Sequence, residues 1–168
     1  MKLKNRHYLR SSEIKQLKNE VSSTFGSNNL DKLFPKNIKI EIAEIEGYFP
    51  VYIFNKEFLL FRLNNKLIPS LKCILKNILD LPKIVVDSGA LKFILNGADI
   101  MRPGIIHIDN YIKKDQFIKI VEETYNRPIA IGLSLYDSTS MKNMSKGKVI
   151  KNIHYLNDKL WTLFEKSS

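Results

Sequence analysis

Cysteine is nearly absent. Cys73 is the only one in 168 residues, which excludes an internal disulfide framework and any thiolate-rich zinc or iron–sulfur site. It sits in an apolar helical pattern and reads as core. Histidine is scarce too: His7, His107 and His154 stand far apart and none has a metal-ligand spacing such as HExxH, so no metal is expected. Long apolar runs are missing. No stretch approaches the roughly 20 apolar residues of a membrane helix, and the first residues are charged and then amphipathic, without a signal-peptide core. The expectation is a cytoplasmic protein with no membrane segment.

Catalytic groups are equally hard to assemble. Ser88 lies in DSGA, which is no nucleophile elbow. Gly89, Gly97 and Gly104 punctuate DSGALKFILNGADIMRPG, but that text matches neither GxGxxG nor the phosphate-loop pattern, and Pro103-Gly104 closes the next element too early for a nucleotide fold. No enzyme and no cofactor is expected.

What is present is charge and a core. The chain carries 27 Lys and Arg against 17 Asp and Glu, a net of +10, with 44% hydrophobic residues. It should fold, and its surface should attract polyanions. Residues 1–83 hold 15 of the basic residues and 8 of the acidic ones. At the start Lys2, Lys4, Arg6, Arg10, Lys15 and Lys18 face a single acid, Glu13, which makes that segment a candidate RNA contact. A solvated basic helix with an exposed arm is the plainer reading, and the residues leave both open.

Two textures divide the chain. In residues 1–82, Ser11 and Ser12 can cap a helix whose Ile14, Leu17, Val21 and Phe25 share a face, and Gly26 can stop it. Ile38, Ile40 and Ile42 alternate with polar residues as a strand, and 51–54 and 58–63 form tight antiparallel strands. Ser70 opens a helix carrying Leu71, Ile74, Leu75 and Ile78. Residues 83–168 read differently: a strand at 83–87, a short helix at 89–95, then strands at 106–108, 117–121, 129–135, 149–153 and 160–164. Short strands around one small helix predict a compact pseudo-barrel. The fold class is therefore α+β: a small helix-plus-antiparallel-sheet domain at 1–82, packed against the barrel at 83–168 with no flexible linker between them. Trp161, among Leu160, Leu163 and Phe164, reads as barrel core.

The glycines have a physical role. Gly89 permits a sharp entry to the short helix, Gly97 suits a left-handed helix stop, and Pro103-Gly104 has type II turn chemistry. Ala90, Phe93 and Ile94 occupy one helical face, from which Lys92 can project away. A helix start with free amides, near Lys92 and Arg102, reads as a phosphate-contact platform. Ordinary turn glycines beside two solvated bases are the alternative.

The segments VVDSGALKFILNGADIMRPGI at 85–105, PIAIGLSLYDS at 128–138 and KGKVIKNIHYLNDKLW at 146–161 together resemble a PUA domain, an RNA-binding module. The last of these, with the basic helical start, FPVYIFNKEFLLFR and IPSLKCILKN before it, is similar to the malignant T-cell amplified sequence family, the PUA-containing partners of density-regulated protein in translation. The opening KNRHYLRSSEIKQL resembles archaeal members more than eukaryotic ones.

That resemblance implies a noncatalytic factor of the small ribosomal subunit, acting in initiation, reinitiation or recycling, whose PUA module approaches a tRNA acceptor end. It places Gly89, Ala90, Lys92, Gly97, Ala98, Met101, Arg102, Pro103 and Gly104 at the RNA face. The implied partners are tRNA or small-subunit rRNA and a chain like density-regulated protein, the protein being a monomer by itself. An RNA-targeting accessory module in tRNA or rRNA modification or ribosome assembly is the alternative function. One departure stands out: Lys113-Lys114-Asp115-Gln116 replaces the Gly-Asp turn common in PUA domains.

Overall fold

The computed structural model describes residues 1–46 and 49–165. The chain divides into two compact units, one of Met1–Asp80 with the chain from Leu163 onward, the other of Leu81–Thr162.

The first unit opens with β1 (Leu3–Tyr8) and α1 (Ser11–Phe25). The cap of α1 is Arg10 rather than Ser11 or Ser12, because Glu13 Oε2 reaches back to accept from the Arg10 amide at 2.7 Å. Leu17 and Val21 are buried, and Gly26, at φ +87°, ends the helix. A short α2 (Leu30–Leu33) follows. Then β2 (Ile40–Ile45), β3 (Pro50–Phe54), β4 (Glu57–Leu63) and β5 (Lys66–Pro69) complete an antiparallel sheet ordered β1-β2-β3-β4-β5. Asn55-Lys56 and Asn64-Asn65 all have positive φ, the conformation two-residue hairpin loops need and asparagine tolerates. Ser70 caps α3 (Leu71–Leu75), accepting from the Cys73 amide and donating to the Phe58 carbonyl. Burial pushes the Cys73 thiol up to about 12, which makes it a core residue. The Phe164 ring stacks on Phe58 at 4.3 Å in the same unit.

The second unit runs β6 (Lys83–Val86), α4 (Ser88–Ile94), β7 (Ile100–Met101), a 3₁₀ turn at Arg102–Gly104, β8 (Ile105–Ile108), β9 (Phe117–Glu122), β10 (Arg127–Ser134), α5 (Ser138–Asn143), β11 (Lys148–Tyr155) and the first residues of α6 (Lys159–Glu165), which belongs to the first unit from Leu163 on. Its six strands lie in the order β7-β11-β10-β9-β6-β8 and form the PUA-like, nearly closed barrel. All pairings are antiparallel except β6 with β9. Ile84, Val86, Ile100, Ile118, Ile120, Ala130 and Ile150 fill the interior. At the crossing of β10 and β11 only glycine fits, since a Cβ on Gly132 would lie 2.4 Å from Ile150 Cγ2.

Several expectations need correction. Residues 160–164 form part of a helix, not a strand: Leu160 and Phe164 are buried one turn apart, whereas Trp161 is only half-buried. Asp158 starts that helix. Its carboxylate accepts from the Trp161 amide at 2.7 Å and the Tyr155 amide at 3.0 Å, and pairs with His154 Nδ1 at 2.7 Å. The opening segment, open between an RNA contact and a basic helix with an exposed arm, starts as the edge strand β1, whose Arg6 pairs with Glu41 of β2. Pro103-Gly104 makes a 3₁₀ turn, not a type II turn, and Gly104 has no positive φ. The departure at 113–116 is accommodated by Asp115, which takes the left-handed conformation at φ +62°.

Two outcomes follow from this packing. Gly132→Ala should lower stability by about 1–3 kcal/mol through overpacking, read as a drop in thermal midpoint. Burial raises the pKa of Asp158, but hydrogen bonds from His154 and the two amides outweigh it and hold the carboxyl below its usual range. Its contribution is therefore present above about pH 4, where the unfolded carboxyl is ionised, and is lost as pH falls through the folded-state value. Asp158→Ala should cost about 2 kcal/mol at neutral pH, with the gap to the parent closing in acid unfolding titrations.

Candidate functional site

The residues singled out around α4 do gather. Gly89, Ala90, Ala98, Met101, Pro103 and Gly104 line one groove with Asp87, Phe93, Ile94, Asp99 and Ile100, of about 530 Å³. The turn that ends α4 is local geometry made permanent. At the end of α4 the Gly97 amide donates to Ile94 O and the Ala98 amide to Phe93 O, both at 3.0 Å, with Gly97 at φ +91°. This is the reverse turn in which glycine ends a helix with two crossed bonds. Gly104 closes the other wall, where an added Cβ would lie 3.2 Å from Ala90 Cβ.

From β11, Asn152 Nδ2 donates to Ile94 O and Ala98 O, both at 3.0 Å, and the Asn152 amide donates to Asp99 Oδ1. Asn152 was not singled out in the sequence, because it lies more than fifty positions from its partners and carries no motif. Phe93 is 57% exposed at the groove and Met101 50% exposed, and both leave apolar surface open to solvent.

The α4 amides, expected to be free for a phosphate, are occupied. Asp87 accepts from the Ala90 amide at 2.9 Å, and Glu123 accepts from the Ser88 amide at 3.1 Å and its hydroxyl at 2.8 Å. Two carboxylates therefore occupy the start of α4, and a phosphate there would meet like charge. Lys92 is exposed, its Nζ over the Phe93 ring at 5.1 Å. Arg102 is half-buried and works structurally: Nε donates to Met141 O at 2.7 Å and Nη1 to Ile105 O at 3.1 Å. Gly97 is not on the groove's lining, and a Cβ there would lie 3.0 Å from the Tyr155 hydroxyl.

The basic opening segment belongs to the first unit. Lys4 pairs with Glu46 at 2.7 Å, and Arg6 grips Glu41 through two bonds at 2.6 and 3.1 Å. Lys2, Arg10 and Lys15 are exposed and Lys18 half-buried. In the same unit Arg62 holds Glu20 bidentately at 2.7 and 2.8 Å and the Tyr52 hydroxyl at 3.2 Å, tying β4 to α1. Each arginine's hydrogen bonds hold its partner acid, Glu41 or Glu20, below the usual carboxylate range.

A curved six-stranded sheet, with a groove between helix α4 and a Pro-Gly turn, defines a PUA-domain protein. Family comparison agrees: the PUA domain matches residues 82–156, and a domain of unknown function, DUF1947, matches residues 5–77. The chain is 40% identical to protein MJ1432 of Methanocaldococcus jannaschii, covering 96% of this chain and 98% of that one. It is 36% identical to Translation machinery-associated protein 20 of Schizosaccharomyces pombe over 79% of this chain and 76% of that one. With Malignant T-cell-amplified sequence 1-A of Xenopus laevis the identity is 31%, over 91% and 88%. The crystal structure of protein PH0734.1 from Pyrococcus horikoshii superposes with a TM-score of 0.81 at 31% identity, covering 95% of this chain and 99% of that one. The chain belongs to the family of malignant T-cell-amplified sequence and translation machinery-associated 20 proteins, and archaeal relatives match it along nearly its whole length.

The two cations near the groove should now separate in stability measurements. Arg102→Ala removes a charged donor from two backbone carbonyls and should cost about 2 kcal/mol. Lys92→Ala should leave the thermal midpoint within about 0.5 kcal/mol of the parent.

Proposed function

We propose that this protein is a noncatalytic RNA-binding factor of translation, acting at the small ribosomal subunit. Its groove between α4 and the 3₁₀ turn holds the unpaired end of an RNA, a tRNA acceptor end being the fitting substrate. The observation that carries the proposal is the apolar groove itself, lined by the residues that the PUA match covers. Base faces and ribose are the parts of RNA that gain from leaving water against Phe93, Met101 and Pro103, and splayed single-stranded ends offer them unstacked. Its volume lies within the roughly 300–1,000 Å³ of small-ligand sites. Asp87 and Glu123 at the α4 start direct phosphates away from that end. The relatives named for the translation machinery support the cellular setting, and the same kinship supports a partner chain like density-regulated protein.

The chain's +10 charge gives the affinity its electrostatic part. With about 4 to 6 phosphates neutralised on a single strand, affinity should fall roughly a hundredfold over a fourfold rise in salt. Phe93→Ala and Met101→Ala should each weaken RNA binding about tenfold at unchanged thermal midpoint, by loss of stacking and apolar contact. Anisotropy titrations with acceptor-end RNA, and nucleotide-level crosslinking in the native cell, check both. A flat salt response and unaffected groove variants would place the protein outside this function.

A further inference from the structure

The 3₁₀ turn has a second side. Arg102, Ile106, His107, Asn110 and Lys142 line another groove of about 390 Å³ along β8, distinct from the apolar one. Its chemistry is cationic and polar. The Arg102 guanidinium is fixed there by the Met141 and Ile105 carbonyls, and Lys142 on α5 bonds the Asn110 side chain. The one acid in the lining, Asp109, keeps its charge, Oδ1 meeting His107 Nε2 at 2.9 Å and Oδ2 accepting from the Lys83 amide at 2.9 Å, so two cations stand there against one carboxylate.

Beside Asn110 stands Tyr111, 92% exposed and at φ +67°. A bulky residue in the left-handed region is an outlier. Nor is the segment loose. Ser138, which starts α5, grips both sides of Tyr111: its Oγ accepts from the Ile112 amide at 2.7 Å and donates to Asp109 O at 2.8 Å, and its amide donates to Ile112 O at 2.9 Å. An aromatic ring is thus held out in solvent by a pinned backbone, next to a groove with two cations and one carboxylate.

We infer that this face is a second nucleotide subsite, in which Arg102 and Lys142 hold RNA backbone phosphate while Tyr111 stacks on a base. The inference deepens the RNA-binding reading above and rests on it. A planar cationic fork suits phosphate oxygens, and stacking on tyrosine tolerates any base. The strand then crosses the Arg102–Gly104 turn, with its end in the apolar groove and an inner nucleotide on the cationic side.

The test uses the full chain and a short labelled oligoadenylate, with affinity read by anisotropy at several potassium chloride concentrations. Tyr111→Ala should weaken binding at least about fivefold without changing the salt slope, and Tyr111→Phe should restore it. Lys142→Gln should weaken binding and reduce the slope by about 0.7, the loss of one single-strand phosphate contact. If Lys142→Gln fails to fold, the Tyr111 pair decides alone. Parent-like affinity of Tyr111→Ala, alongside weakened Phe93→Ala, would overturn the second subsite while leaving the apolar-groove reading intact. A parent protein that does not bind oligoadenylate at low salt would remove both. A Lys142-dependent response to polyglutamate with RNA binding untouched would reassign the face to an acidic protein.

Discussion

The amide of Asn152 bridges β11 to the end of α4, and the groove depends on that bridge. Its two N–H groups satisfy the carbonyls of Ile94 and Ala98, which a helix end otherwise leaves to water or to chance. With the Asp99 carboxylate accepting from the Asn152 backbone N–H, the loop after α4 is fixed to β11 at three points. Its own Oδ1 is buried without a hydrogen-bond partner among the described residues, a cost of roughly 1–3 kcal/mol. Helix α4 is only seven residues long, too short to hold itself. The orientation of Phe93 and the turn at Gly97 are therefore properties of the barrel as much as of the helix.

Local chemistry made part of this legible in sequence. The asparagine-rich hairpin loops, the Ser70 cap, the glycine stops at Gly26 and Gly97 and the alternating strands all depend on neighbours a few positions away. Proximity was legible too, since six of the nine residues expected around α4 line one groove. The chemistry of the groove was not. Whether the amides of α4 are free is decided by Glu123, 35 positions on, and Arg102 is engaged by a carbonyl 39 positions away. β1 has no apolar alternation to betray it, because only Leu3 is even partly buried and the strand is held by pairing with β2. In α6 the spacing of Leu160 and Phe164 fits a helical turn, and the preceding Asp158 is the start signal that a strand reading passes over.

Net charge overstated the reach of the first half of the chain. Lys4, Arg6, Arg62 and Lys76 are matched by Glu46, Glu41, Glu20 and Glu57, and in the second unit Lys148 by Asp99. Exposed pairs of this kind add little stability, about 0–1 kcal/mol each, but each partner acid weakens the local attraction for a polyanion. On an edge strand such as β1 they also discourage pairing with another sheet. The density of basic residues along a sequence is thus a poor map of where an anion can sit.

What matters for an anion is a cation held in place by neutral groups, as the Met141 and Ile105 carbonyls hold Arg102 at the Arg102–Gly104 turn. Its proline and glycine face the apolar groove, while its arginine faces the polar one. An RNA strand has the same division, with planar apolar bases on one side and charged backbone on the other. A turn that separates apolar from cationic surface can therefore align a single strand by the asymmetry every nucleotide shares, before any base edge is read. Sequence selectivity, if the groove adds it, comes from the few polar groups at its rim. The backbone carbonyls that immobilise Arg102 supply the orientation, so the same hydrogen bonds that stabilise the fold also aim the charge.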